Sequence, residues 1–234
     1  MVTDSAMPVL PRTRFNRSPL IRCLEGLGVA GVAESGQTVA ERLGPWLDWT
    51  GAIALFNEMQ GGPATSPCAG PPSAGAGAGF VIEEFHRTRR DLARSITTDT
   101  AFTDAEIDAS TGRRHHLAQQ RAMEARLVPL RAKVRAALSA FSPDLRQLAA
   151  LDALLESALG ARERHLLSTV PALMERHTGR LREGSEATPA ADRRPMRSAL
   201  LAELDMRLQP IEGMIEALGE AVPKDSHGSR GAHE

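Results

Sequence analysis

The stretch from His116 to Phe141, HLAQQRAMEARLVPLRAKVRAALSAF, decides the fold. Its members His116, Gln120, Met123, Leu127, Leu130, Val134, Ala137 and Phe141 step alternately by four and three. That spacing returns to one side of a helix every two turns, so the listed side chains share a seam that buries against other helices. Leu201, Leu204, Leu208, Ile211, Ile215 and Leu218 repeat the pattern near the far end of the chain. Both seams predict long helices packed lengthwise, and neither implies any chemistry.

Composition agrees with helices. Of the 234 residues, 42% are hydrophobic but only 3% aromatic, and there is no Tyr. Ala and Leu carry the apolar content, whereas strands recruit Val, Ile, Thr and aromatics. The formal net charge is −1, with acids and bases interleaved, so the chain has no global basic field for nucleic acid. Lys133 and Lys224 are the only lysines. An Arg, Ala, Gly and Pro bias of this kind follows GC-rich coding, so an arginine is not by itself a phosphate contact. Cys23 and Cys68 have no zinc spacing and too few partners to staple the chain; both are expected to be free thiols in a reducing cytoplasm. No apolar run suits a secretory signal or a membrane span.

Working outward, residues 1–17 are polar and broken by Pro8 and Pro11, and are expected to be disordered. Ser18-Pro19 opens a helix, with Ser as cap and Pro in the first turn. Leu20, Ile21, Leu24 and Leu27 give that helix an apolar face, and Gly26 and Gly28 end it. A second helix carries Val39, Leu43, Trp46, Leu47, Ile53, Phe56 and Met59, with a break or kink at Gly44-Pro45. Residues 18–60 thus form a small helical module. Residues 61–79, GGPATSPCAGPPSAGAGAG, cannot build a core and are expected to be a linker.

The main bundle is expected over 80–219. Ile82, Phe85, Leu92 and Ile96 mark its first helix, with Arg89 intruding on the seam, and Thr103 is placed to cap a short turn. The long helix from about Arg113 to Phe141 spans ~40 Å. Ser142-Pro143-Asp144 stops it and caps the next, and so short a connection makes the two antiparallel. That next helix runs to about Arg182 on Leu148, Leu151, Leu155, Leu159, Leu166, Val170, Leu173 and His177, with Arg162 falling on the seam as at a stutter. The last helix runs from about Met196 to Leu218, and residues 220–234 are expected to be disordered. The fold class is therefore all-α: kinked long antiparallel helices in an elongated bundle of coiled-coil character.

Pro129, Pro171 and Pro210 lie inside the periodic runs. Each deprives a carbonyl four residues earlier, on Ala125, Leu167 or Met206, of its helical donor, at ~3 kcal/mol in an isolated helix. The seams keep phase across all three, which predicts kinks within continuing helices.

Candidate chemistry is thin. Glu83 and His86 make one Glu-x-x-His, but a di-iron bundle needs a second copy and two more glutamates, so no metal is expected. His116 and His177 fall on seams and are expected to hydrogen-bond within the interface; His165 is three turns from His177. The glycine-rich run lacks the Lys-Ser/Thr of a phosphate loop, and no nucleophile elbow occurs. No catalytic residue and no cofactor are expected. Arg87, Arg89, Arg90 and Arg94, with Arg113 and Arg114, offer a basic surface; Glu83, Glu84 and Asp91 interleave with it, which favours a solvated face over a nucleic-acid contact. Trp46 and Trp49 lie one turn apart. Core docking is the expected role, and a partner-protein hot spot is the alternative.

RSPLIRCL, AERLGPWLDWT, HHLAQQRAMEARLVPLRAKV, ALDALLESALGARERHLLSTVPALMERH and LLAELDMRLQPIEGMIEAL together resemble a proteobacterial family of uncharacterised proteins, domain of unknown function 3348. The resemblance runs from Arg17 to Leu218 outside the linker. The family supplies no catalytic residues to carry over. It implies company with stator-type membrane motors, similar to the Zorya class of antiphage defence. The expectation is a non-enzymatic, cytoplasmic adaptor that binds partner proteins, such as motor components or their companions, without entering the membrane itself, with self-association open. The alternatives are a nucleic-acid-binding effector using the arginine surface and, third, a helical metal enzyme built on Glu83 and His86.

Overall fold

The computed structural model describes residues 18–26, 49–60, 74–102, 109–184 and 194–222. Its helices are α1 (Pro19–Gly26), α2 (Trp49–Gln60), α3 (Ala74–Thr98), α4 (Ala109–Phe141), α5 (Pro143–Gly184) and α6 (Arg194–Ala221), with one 3-10 turn at Thr100–Phe102. The described residues contain no strand, and the fold is an all-α bundle.

The α4–α5 corner forms as its residues dictate. The amide of Leu145 donates to Ser142 Oγ at 3.2 Å, and that of Arg146 donates to the Ser142 carbonyl at 3.0 Å. Ser142 caps, Pro143 occupies the first turn, and the helices double back. Pairs Arg131–Asp152, Arg164–Glu124 and Arg113–Glu175 tie them along their length in antiparallel register. Asp91–Arg126 and Glu84–Lys133 set α3 antiparallel to α4. Helices α3, α4 and α6 touch pairwise, α5 lies along α4 and part of α6, α1 packs on α6, and α2 packs on α5.

The α4 seam is buried at His116, Gln120, Met123, Leu127, Leu130 and Val134, and Leu138 joins it in place of the half-buried Ala137 and Phe141. Leu204, Leu208, Ile211, Ile215 and Leu218 are buried on α6, where Leu200 takes the depth expected of Leu201. Phe85, Leu92 and Ile96 close the core from α3. Full burial of each such side chain contributes roughly 1.5–3 kcal/mol.

Four expectations need correction. Helix α3 begins at Ala74, so Ala74 to Gly79 is helix and not linker; Ala78 is buried against the bundle, where a small side chain permits close approach. Helix α1 is not set apart from the main body: Leu20 joins the common core, with Cys23 and Leu24 packed against it. At its start the Ser18 carbonyl accepts from the Arg22 amide at 3.1 Å, while the Ser18 hydroxyl finds no partner and so supplies no cap. On α5 the buried side is Ala149, Asp152, Gly160, Leu167, Val170 and Met174; the seam leucines from Leu148 to Leu159 stand on its flank, and Leu166 is half exposed. Asp152, paired with Arg131 and Arg135, turns its side of α5 toward α4, which overrides the leucine periodicity. Arg162 is exposed.

Helices α4, α5 and α6 continue through Pro129, Pro171 and Pro210. Pro129 and Pro210 are exposed, whereas Pro171 is buried. The turn expected at Thr103, the Gly44-Pro45 break, Cys68 and residues 1–17 and 223–234 lie outside the described residues; Glu220 and Ala221, expected in a disordered tail, belong to α6.

Candidate functional site

The most polar part of the interior lies where α4, α5 and α6 meet. Gln120 Nε2 on α4 donates to the Leu167 carbonyl on α5 at 2.9 Å and to Glu203 Oε2 on α6 at 2.9 Å. That carbonyl is the one Pro171 deprives of its helical donor, so the side chain of one helix completes the broken ladder of another. Glu203 is fully buried. Its Oε1 accepts from Arg207 Nε at 2.9 Å, one turn along α6, with Nη2 at 2.8 Å. Burial alone would raise the Glu203 carboxyl, but contacts with His116, Gln120 and Arg207 outweigh it and hold the group below the usual carboxylate range. A carboxylate so supplied with donors is a poor proton acceptor; its place here is to join helices.

His116 is fully buried beside it, with Nε2 3.6 Å from Glu203 Oε2, an ion-pair rather than a hydrogen-bond distance. Neither ring nitrogen has a hydrogen-bond partner, which corrects the expected interface bond. The side chain of His177 lies outside the described residues, and His165 is exposed.

A second network crosses α4 and α5. Arg131 holds Asp152 through two bonds, Nε at 2.9 Å and Nη2 at 2.6 Å, and Arg135 reaches Asp152 at 3.3 Å and Glu156 at 2.6 Å. Burial would lower the Arg131 guanidinium, but Asp152, Glu156 and Glu163 overcome it and raise it. At the top of α3, Asp99 accepts from the Ala101 amide and from Gln119 Nε2, both at 3.0 Å, and so seats the buried Phe102. Arg89, which interrupted the α3 seam in sequence, reaches Glu212 at 2.8 Å and Asp205 at 3.5 Å on α6. Cys23 is a half-buried free thiol pushed up by burial, which makes it a weak nucleophile.

The sequence-predicted surface residues separate. Trp46 lies outside the described residues; Trp49 opens α2, and its side chain lies outside them too. The rest of α2 exposes a stripe not expected from the sequence: Ile53 is 42%, Phe56 61% and Met59 66% exposed while the helix packs on α5. Arg90 is held by Glu83 at 3.2 Å and Arg113 by Glu175 at 3.5 Å. Arg114 donates to Thr111 Oγ1 at 2.8 Å. Arg87 and Arg94 are exposed and have no ion pair among the described residues. Glu83 and His86 are exposed on α3, with Glu83 committed to Arg90. Among the described residues, no group of three His, Cys, Asp or Glu side chains could hold a metal ion, and no helix is long and apolar enough to cross a membrane.

A family model described as a protein of unknown function (DUF3348) matches residues 7–220, and the chain belongs to that family. Neither the curated proteins nor the solved structures hold a match to it.

Proposed function

We propose that this family member is a non-enzymatic helical adaptor whose work is to bind partner proteins, in a cytoplasmic assembly linked to a stator-type motor and antiphage defence. The observation that carries the adaptor function is α2. One side of it packs on α5 while Ile53, Phe56 and Met59 face outward on the other. Exposed large apolar side chains grouped on one helix mark a protein-binding surface. The buried polar groups support the same function: Gln120, Glu203, Arg131 and Asp152 bond from helix to helix and hold a rigid scaffold behind that surface. The motor and defence context rests on the resemblance described above.

The test is purification of the tagged chain from its native host, followed by mass spectrometry, beside a Phe56→Asp, Met59→Asp variant. A motor subunit that accompanies the natural chain and is lost from the variant, with the variant's helicity unchanged, is the expected result. Recovery of the same proteins by both chains removes α2 as the surface, and co-purifying nucleic acid favours the effector alternative.

A further inference from the structure

Four arginines on the outward sides of α3 and α4 form a ladder without an ion pair among the described residues; Arg114 alone of them donates to a neighbour on its own helix, Thr111. On α3 the core side is Val81, Phe85, Leu92 and Ile96. The flank toward α4 carries Glu84, Asp91 and Ser95, bonded to Lys133, Arg126 and Gln119, and the flank toward α6 carries Arg89. Arg87 and Arg94 lie on the remaining side, seven residues apart and exposed. On α4, Arg126 and Lys133 face α3, while Arg113 and Glu124 pair with α5. Arg114 and Arg121 remain outward, again seven residues apart and exposed. None of the four has an ion pair among the described residues.

The cross-helix bonds fix how these two pairs align. Asp91 stands opposite Arg126, Ser95 opposite Gln119 and Asp99 beside His115. Arg94 is therefore level with Arg121, Arg87 is two turns to one side, and Arg114 is two turns to the other. At 1.5 Å per residue the three levels are ~10 Å apart.

We infer that this ladder is the docking surface for an acidic helix of a partner protein, one whose carboxylates recur every seven residues. A seven-residue step along a helix is also ~10 Å, so such a helix laid between α3 and α4 meets an arginine at each level. Arginine pairing with acids of a packed helix also occurs within the chain, where the one guanidinium of Arg89 reaches both Asp205 and Glu212 on α6. The guanidinium fork suits a carboxylate, and contacts at all three levels acting together are needed because one exposed pair contributes little. Nucleic acid fits less well. The net charge of −1 supplies no attracting field for its phosphates, and acidic side chains interleave with the arginines. The inference adds a second face to the adaptor function and does not depend on α2.

The experiment is fluorescence anisotropy of the full chain with three labelled probes: an alanine-based helical peptide with Glu at every seventh position, a peptide of the same composition with the glutamates scrambled, and a single-stranded DNA oligomer. The heptad peptide should bind about tenfold more tightly than the scrambled one. That preference should vanish in Arg94→Glu, Arg121→Glu and weaken in the milder Arg87→Gln, Arg114→Gln, with circular dichroism unchanged in both. Equal binding of the two peptides, or tighter binding of the DNA, overturns the inference. The Phe56→Asp, Met59→Asp variant should bind the heptad peptide normally, so loss of one face is read separately from loss of the other.

Discussion

Gln120 and Leu167, 47 positions apart in the chain, are joined at 2.9 Å because Pro171 frees the Leu167 carbonyl for the Gln120 amide. The helix defect and its repair are on different helices, and Glu203 shares the same amide nitrogen.

Gln120→Leu should therefore destabilise the bundle by about 2–3 kcal/mol in urea unfolding, since it leaves a buried carbonyl and a buried carboxylate each short of a donor. A loss below about 0.5 kcal/mol would show that water reaches this site and replaces the amide.

The three prolines should respond differently to alanine. Pro129→Ala and Pro210→Ala, at exposed positions, restore a helical bond without disturbing the core and should stabilise by about 1–3 kcal/mol. Pro171→Ala should gain less, because its restored amide competes with Gln120 for Leu167 and a buried ring is lost. Equal gains at all three sites, measured by chemical denaturation, would mean that the Gln120 bond contributes nothing.

Acid should weaken the fold through Glu203. Its folded carboxyl titrates below its ordinary value of about 4.3, so the unfolded chain takes up the proton first. The stabilisation is fully present above that value and is lost as pH falls through the folded pKa. Glu203→Gln should be less stable at neutral pH and should show a shallower loss below about pH 4. A parallel acid profile for the two proteins would assign the acid sensitivity to other carboxylates.

Asp152→Ala should cost about 3 kcal/mol or more, because it leaves Arg131 and Arg135 partly buried with Glu156 as their one remaining ion-pair partner among the described residues. Replacing Arg131 as well should recover part of that loss in a double-mutant cycle. Strict additivity would mean that the two do not interact.

Gly213→Ala should raise stability by roughly 0.5–1 kcal/mol, since a Cβ there meets nothing within 4 Å and the helix gains a better former. Gly160→Ala should gain less. Its Cβ would stand 3.4 Å from the flexible end of Arg164 at a buried position.

The sequence by itself determined the helices, the Ser142-Pro143 corner, the α4 and α6 seams and the three carbonyls that proline deprives of donors. These follow from rules acting within about two turns of one helix: periodicity, capping and the missing proline amide. Tertiary structure decided which distant side chain reaches Leu167, which side of α5 is buried and where Arg89 finds its acids. Leucine periodicity missed the buried positions Ala149, Asp152 and Gly160 of α5, because the pairing of Asp152 with Arg131 and Arg135 on α4 turns that side of the helix inward. The exposed stripe on α2 was illegible for the same reason. Apolar residues at helical spacing predict that a helix has an apolar face, but whether a partner within the chain covers it depends on where the other helices pack.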